Sequence, residues 1–418
     1  MRKLLVVAVA GALASGANGV AAAVSDADFA QLKADFAAMS QRLNALEQEN
    51  LQLRELSETT VTELELAQTE ISKSREARSA SSWSERIKWK GDFRYRYESI
   101  DVEDASTRER NRVRARAALV ASLPSNTTVG LGVASGGTDP VSSNQTLGKG
   151  NETKDLRLDL AYFTWKPTEN ISLTAGKYSN PLYKPQKSAL LWDGDWRPEG
   201  VSATWGGDNL FVNFIGNWLE SDSRGDNDAF AWGFQGGTTL ALGEAVSLTA
   251  SLGYYDFPTK GNRPYFDDDF FGNSSVDGVY EFDYEMVEVG ADLMLNLFGL
   301  PFDLFAHYVQ NQDADDYDTG YLTGAKIGKA SDKGSWQLAY QYQDLEADAV
   351  LGLLSDSDFA GGGTDGKGHR LSGAYALNKQ WKVGFTWFLN NEAGEKNLAE
   401  EGGALDYDRI MLDTVFKY

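Results

Sequence analysis

The chain has 418 residues and a formal net charge of −22, with 39 Lys and Arg set against 61 Asp and Glu. That balance disfavours a nucleic-acid partner, because phosphate binding needs a net basic face. The absence of cysteine excludes a disulfide framework, a thiol nucleophile, a Cys-ligated metal and an acyl anchor; the only two histidines, His307 and His369, exclude a His-rich metal centre.

Arg2 and Lys3 precede an apolar run from Leu4 to Ala14, and Ala21-Ala22-Ala23 supplies small residues at a cleavage site. Residues 1–23 are therefore expected to be a secretory signal peptide, too short and too rich in Ala and Gly for a membrane anchor. No later stretch approaches the ~20 apolar residues of a spanning helix.

From Ser25 to about Ser74 there is no glycine or proline, and Phe29, Leu32, Phe36, Met39, Leu43, Leu46 and Leu53 recur three and four apart, with Asn50 in the same stripe. Leu64 and Ile71 resume the pattern. This heptad seam predicts a parallel coiled coil over residues 24–78, preferred to a helix lying on its own domain because Glu, Gln, Arg and Lys fill the other faces. Ser74 to Ser84 reads as a Ser/Ala/Arg linker.

After Trp83 the period becomes 2. Ile87, Trp89, Phe93, Tyr95 and Tyr97 alternate with Arg86, Lys88, Lys90, Asp92, Arg94 and Arg96, and Val113, Ala115, Ala117 and Leu119 alternate with Arg112, Arg114 and Arg116. The rhythm returns at 336–343, 381–390 and 410–418. Such alternation marks strands with one apolar and one polar face. A soluble sandwich and a membrane barrel both fit it, and the connections decide. Tight turns at 124–126, 166–170, 206–209, 242–244, 298–301, 331–334 and 378–380 alternate with acidic, Gly-rich stretches at 136–154, 179–199, 219–228, 256–283, 311–319, 345–367 and 391–406. Outer-membrane barrels show that asymmetry. The expected fold of residues 79–418 is all-β: a transmembrane antiparallel up-and-down β-barrel of about 16 strands. The terminal Tyr418, closing an alternating segment, resembles the signal read by the outer-membrane assembly machinery.

With the apolar face outward, Arg86, Lys88, Lys90, Arg94, Arg96, Arg112, Arg114 and Arg116 point into the lumen as a basic ladder, with Arg108 and Arg110 at the rim. Like charges side by side on a sheet repel unless carboxylates or anions answer them. Either ordinary pairing with Asp92, Asp155 and Asp159 supplies that answer, or the ladder is a cationic wall at a constriction. The third long loop carries Leu190, Leu191, Trp192 and Trp196, which are costly to leave in water. It is expected to fold inward, although capping the rim is the simpler alternative, and would then bring Asp193, Asp195 and Glu199 to the ladder.

Several stretches resemble the "putative porin" family of Gram-negative bacteria: 90–98 (KGDFRYRYE), 110–116 (RNRVRAR), 139–147 (DPVSSNQTL), Ala175-Gly176-Lys177, and Trp192-Asp193-Gly194-Asp195 followed by Pro198-Glu199-Gly200. The resemblance covers about residues 83–418. It implies an outer-membrane diffusion channel, a trimer, set among outer-membrane lipid and lipopolysaccharide and passing small hydrophilic solutes and ions; it names no solute.

Two other classes remain. The coiled coil could tether the barrel to the cell wall or a periplasmic partner. A barrel-borne hydrolase would need a nucleophile beside His307 or His369; His307 has Asp303 near it on its strand, and no Gly-x-Ser-x-Gly motif occurs. The acidic runs 313–318 and 267–269 lack the spaced EF-hand pattern, and no metal or cofactor is expected.

Overall fold

The computed structural model describes residues 26–81, 86–222, 228–399 and 402–418. The signal-peptide expectation for residues 1–23 lies outside the described residues. The chain divides into two compact units between Ser82 and Trp83.

The first unit contains one helix, α1 (Asp26–Ser81), of 56 residues. At 1.5 Å per residue it would extend roughly 80 Å. Its apolar stripe is uncovered: Leu32, Phe36, Met39, Leu43, Leu46, Leu53, Leu64 and Ile71 are all exposed. The hydroxyls of Thr59, Thr60, Thr62 and Thr69 donate to the carbonyl four residues earlier, so these β-branched residues do not interrupt the helix. The expected linker from Ser74 is helical as far as Ser81. Ala and Arg are good helix formers, and neither Gly nor Pro ends the run.

The second unit is a sheet of sixteen long antiparallel strands. They are β1 (Ile87–Val102), β2 (Arg108–Leu123), β3 (Thr127–Ser135), β4 (Leu156–Trp165), β5 (Ile171–Lys177), β6 (Glu199–Gly206), β7 (Leu210–Glu220) and β8 (Ala229–Gly243). The second half comprises β9 (Val246–Phe257), β10 (Tyr284–Leu297), β11 (Leu300–Asn311), β12 (Thr319–Gly328), β13 (Trp336–Leu345), β14 (Gly366–Ala376), β15 (Trp381–Ala393) and β16 (Leu405–Lys417). Each strand pairs with the next, and β1 also pairs with β16 from Asp92↔Lys417 to Val102↔Tyr407, which closes the barrel. A two-residue strand, Gln145–Thr146, adds to the edge of β2 beyond β3.

Side-chain parity sorts the two faces. Trp89, Phe93 and Tyr95 are exposed on one face of β1, whereas Asp92, Arg96 and Glu98 are buried on the other. Exposed Trp89, Trp165, Trp205, Trp336 and Trp381 all lie at the strand ends that carry the tight turns, the position of an interfacial aromatic belt. Turn chemistry fixes the registers there. The β10–β11 hairpin has two central residues, Phe298 at φ 54° and Gly299 at φ 80°, the positive pair that a two-residue hairpin needs. At the other end the first connection, Glu103 to Thr107, is short and the remaining ones are long.

The interior departs from the polar lumen expected from sequence. Leu190, Leu191, Trp192 and Trp196 of the third long connection join Tyr255, Phe257, Tyr284 and Met286 of β9 and β10 in one buried apolar cluster. Val350, Leu351, Leu353 and Leu354 of the connection after β13 complete it. Burying such side chains contributes roughly 2 kcal/mol each, enough to hold loops as part of the fold.

At the seam, Gly91 and Tyr418 exchange backbone hydrogen bonds of 3.0 and 3.1 Å, and the Tyr418 ring covers Gly91. A Cβ on Gly91 would stand 2.4 Å from the Arg116 carbonyl oxygen and 2.5 Å from that ring. Gly91→Val should therefore cost about 1–3 kcal/mol through overpacking. The expected readout is a lower yield of the heat-modifiable folded form and an earlier thermal transition, with far-UV circular dichroism following both.

Candidate functional site

The first hairpin sets like charges face to face: Arg94 pairs in register with Arg114, and Arg96 with Arg112. The same face supplies Asp92 opposite Arg116 and Glu98 opposite Arg110. Asp92 accepts from Arg114 at 2.9 Å and Arg116 at 2.8 Å. Buried Glu98 meets Arg110 and Arg409 closely and Arg112 at 3.5 Å. Arg96 is clamped by Asp413 at 2.8 Å and Asp358 at 2.9 Å, and Arg409 shares Asp358 at 2.8 Å. Arg94 differs: it donates to the Asn144 amide oxygen at 2.5 Å and has no carboxylate partner among the described residues. Arg86, Lys88 and Lys90 lie at the tight-turn end, exposed and without an ion pair to a described residue.

The acidic residues singled out in the third loop have three separate fates. Asp195 reaches the ladder, accepting from Arg116 at 2.8 Å, lying 3.6 Å from Arg114, and accepting from the Ser143 hydroxyl at 2.9 Å. Burial pushes its carboxyl up, but Arg114 and Arg116 outweigh that and leave it below the usual carboxylate range. Asp193 does not face the ladder; it accepts the backbone N–H of Asp195 at 2.6 Å and of Ser357 at 3.2 Å, which turns it toward the loop after β13. Glu199 does not either, because it opens β6 directly across from Lys177 and pairs with it at 2.5 Å. Asp358, in that same later loop, is raised by burial but brought well below the ordinary range by Arg409 and Arg96.

The far side of the loop is pinned by a sealed polar chain. His307 contacts the Ser188 hydroxyl at 2.9 Å through Nδ1 and Glu288 at 2.6 Å through Nε2, and the Tyr255 hydroxyl donates to Glu288 at 2.5 Å. Gln186 donates to Asp292 at 2.6 Å, and Lys184 to the Trp192 carbonyl at 2.9 Å. His307 thus partners Glu288, while Asp303 pairs with Lys326 at 2.8 Å. Parity put His307 and Asp303 on one face, but Glu288, on β10 and diagonal to His307 across the sheet with only Gly290 directly opposite, is the one within reach, not a residue four along the same strand. Serine, histidine and glutamate in series evoke a hydrolase. Ser188 is 5% exposed, His307 1% and Glu288 0%, so no substrate reaches them. His369 stacks beside Tyr340, whose hydroxyl lies 2.7 Å from Nδ1.

Open volume lies against the arginine wall. One cavity of about 450 Å³ at the long-loop end touches Arg110, Arg112, Asp139, Ser142 and Arg409. A second, of about 490 Å³, shares Asp139 and Ser142 with it and adds Asp159, Asp195 and Arg197. A third, of about 320 Å³, shares Asp159 and Arg197 with the second and extends to Lys90 and Lys417. The acidic runs after β9 and β11 hold backbone instead: Asp269 caps a turn by accepting from the Phe271 N–H at 2.8 Å, and Asp313 ties its loop to the start of β10 by accepting from the Asp283 N–H at 2.9 Å.

A closed sixteen-stranded sheet with an apolar outer face, a charged inner wall and long loops at one end defines a transmembrane β-barrel of the porin class. Residues 101–264 and 273–417 match the family described as "Putative porin", and the chain belongs to that family. Among solved structures, OprB of Pseudomonas putida at high pH is 12% identical over 79% of this chain and 94% of its own, with a TM-score of 0.55. OmpF of Salmonella typhi, in complex with daunomycin, is 13% identical over 79% and 97%, with a TM-score of 0.50. At these identities the likeness is one of fold. No curated protein matches the chain by sequence. Family and fold together point to an outer-membrane porin, a channel rather than an enzyme.

Several of the residues assembled here escaped the sequence reading: Glu98, Asp358, Arg409 and Asp413. Parity could have found Arg409 and Asp413, since Ile410 and Leu412 are exposed on the opposite face of β16. Asp358 had a different signal, the apolar run Val350-Leu351-Gly352-Leu353-Leu354 just before it in an outer loop.

The contact between the two inward loops should respond to pH. Burial, reinforced by Asp356, pushes the Asp193 carboxyl up to about 7, whereas in the unfolded chain it ionises near ~4. The folded state then binds more protons between those values, so the contact loses stability as pH rises from about 4 to about 7 and levels off above. Hydrogen exchange at 190–196 and 351–357, corrected for the intrinsic rate, should be at least about tenfold faster at pH 8 than at pH 5. Asp193→Asn should flatten that dependence.

Proposed function

We propose that this protein is a passive outer-membrane porin whose route for small hydrophilic solutes and ions runs off the barrel axis, along the wall of β16 and β1 to β4. The observation that carries this reading is the series of three cavities linked by shared lining residues beside the arginine ladder. The opposite side of the interior is filled by the apolar cluster and the His307–Glu288 chain. Ions passing Arg116 and Asp195, with Arg114 3.6 Å behind Asp195, meet fixed charges of both signs within a few ångströms, an arrangement that filters by size and by transverse field. The long loops face outward and the tight turns face the periplasm, with export directed by the leader. No cofactor takes part.

The exposed stripe of α1 supports a homotrimer held by a parallel coiled coil, with Asn50 setting its register. It equally supports a tether from the barrel to the cell wall or a periplasmic partner, and the two roles are compatible.

Current through single channels in a planar bilayer tests the reading. Purified protein should give ohmic steps grouped in threes. Arg94→Ser with Arg114→Ser should raise conductance about twofold and shift the reversal potential toward cations, since Asp92 and Asp195 lose a shared counter-charge. An unchanged reversal potential would remove the ladder from the conduction path.

A further inference from the structure

The outermost of the three cavities is built more like a binding site than a passage. Four guanidinium groups reach it, from Arg108, Arg110, Arg112 and Arg409. Two carboxylates answer them, Glu98 beneath and Asp358 beside, and Asp358 is also claimed by Arg96. A third carboxylate, Asp139, also lines the cavity; it accepts the Val141 N–H at 2.9 Å and makes no ion pair with a described residue. Arg112 comes no closer than 3.5 Å to Glu98, and its Nε has no partner. The Nε of Arg409 is also unpartnered, although that side chain is 3% exposed. Buried donors of this kind are costly unless an acceptor completes them. Four guanidinium groups thus face three carboxylates, Glu98, Asp358 and Asp139, which leaves the lining one anionic group short of balance.

The rest of the lining describes what carries that group. Ser106 and Ser142 line it, Ser142 accepting from the Asn144 amide at 3.2 Å with its own O–H left to donate, while the Ser357 hydroxyl is spent on the Val141 carbonyl; Tyr407 contributes a ring. A volume of about 450 Å³ exceeds what a small inorganic anion fills and falls within the roughly 300–1,000 Å³ of small-molecule sites. Guanidinium pairs suit carboxylates, serine hydroxyls suit polyols, and an aromatic face suits the C–H side of a sugar ring. We propose that this cavity is a binding site for a small polyhydroxylated carboxylate of the hexuronic-acid type, held by Arg108 and Arg112 through its carboxylate. The proposal rests on the channel reading for its access route, and gives that channel a substrate class.

The test uses the full chain, folded and incorporated in a planar bilayer in potassium chloride, with galacturonate, galactose or inorganic phosphate added on the long-loop side. Galacturonate should interrupt the current at millimolar concentrations, galactose should need at least about tenfold more, and phosphate at equal concentration should leave the current steady. Arg112→Gln should raise the half-blocking galacturonate concentration about tenfold, and Ser106→Ala, on an exposed loop where folding is not at risk, about threefold. Equal block by galacturonate and galactose would overturn the proposal, as would equal block by phosphate, which would reduce the site to a generic anion trap. Calorimetry of galacturonate binding to the folded protein in detergent separates the two readings. Binding there without current in the bilayer would defeat the channel and leave the site, whereas current with neither binding nor block would defeat the site and leave the channel.

Discussion

Hydrocarbon offers no hydrogen-bond partner, so every backbone N–H along a spanning strand must find a carbonyl within the protein. The rest of this structure follows from how the chain meets that demand. Closing β1 onto β16 removes both sheet edges, and the tight turns hold the register that keeps Trp89, Phe93 and Tyr95 on one face and Asp92, Arg96 and Glu98 on the other. Closure by sixteen strands creates an interior too wide for strand side chains alone to fill. The problem is therefore handed to the loops, and their sequence decides how much of the interior is solid.

Two loops solve it by different chemistry on their two sides. Toward β9 and β10 they present Leu190, Trp192, Leu351 and Leu354, and the packing is that of a soluble core, with Trp192 meeting Tyr255 edge-on at 5.1 Å and stacking on Trp196 at 4.8 Å. Toward β1 and β2 they present Asp195 and Asp358, and the contact is ionic. Neither side suffices alone. An arginine ladder in register would repel itself, and the three carboxylates that the strands supply, Asp92, Glu98 and Asp413, are too few for it. The loops' carboxylates make the ladder tolerable, and the ladder holds the loops' polar edge against the wall. Removing either partner would strand a buried charge, which costs more than the pair contributes when intact.

The barrel was legible in the sequence because its causes are local. A period of 2 and the alternation of short with long connections are visible in a single chain, and together they indicate the class, a count of about sixteen strands and the direction of each face. The helix was legible for the same reason, and its far end was misjudged because Ser, Ala and Arg look like a linker yet contain nothing that stops a helix. What stayed hidden depends on contacts between distant segments. That Asp193 would turn to Ser357, 164 residues away, cannot be read from its own neighbourhood. Glu199 shows the opposite error: its cross-strand neighbour Lys177 was close in sequence, but counting it as a loop residue concealed the pairing. His307 was read along its own strand, whereas sheets place the partner on the neighbouring one.

The same division explains why open space and charge coincide. An apolar plug excludes water by packing, so solvent is confined to where packing fails, which is where charged groups hold surfaces apart. Ion pairs there are fixed at both ends: Arg116 to Asp92 on the wall and to Asp195 on the loop. Side chains anchored in this way cannot swing to follow a passing ion, so the wall acts as a preset field more than as a flexible coat. Arg94, held only by the Asn144 amide, is the exception within that wall. A neutral partner leaves it without an ion pair to a described residue, in a stretch where Arg96, Arg114 and Arg116 each meet a carboxylate within 3 Å.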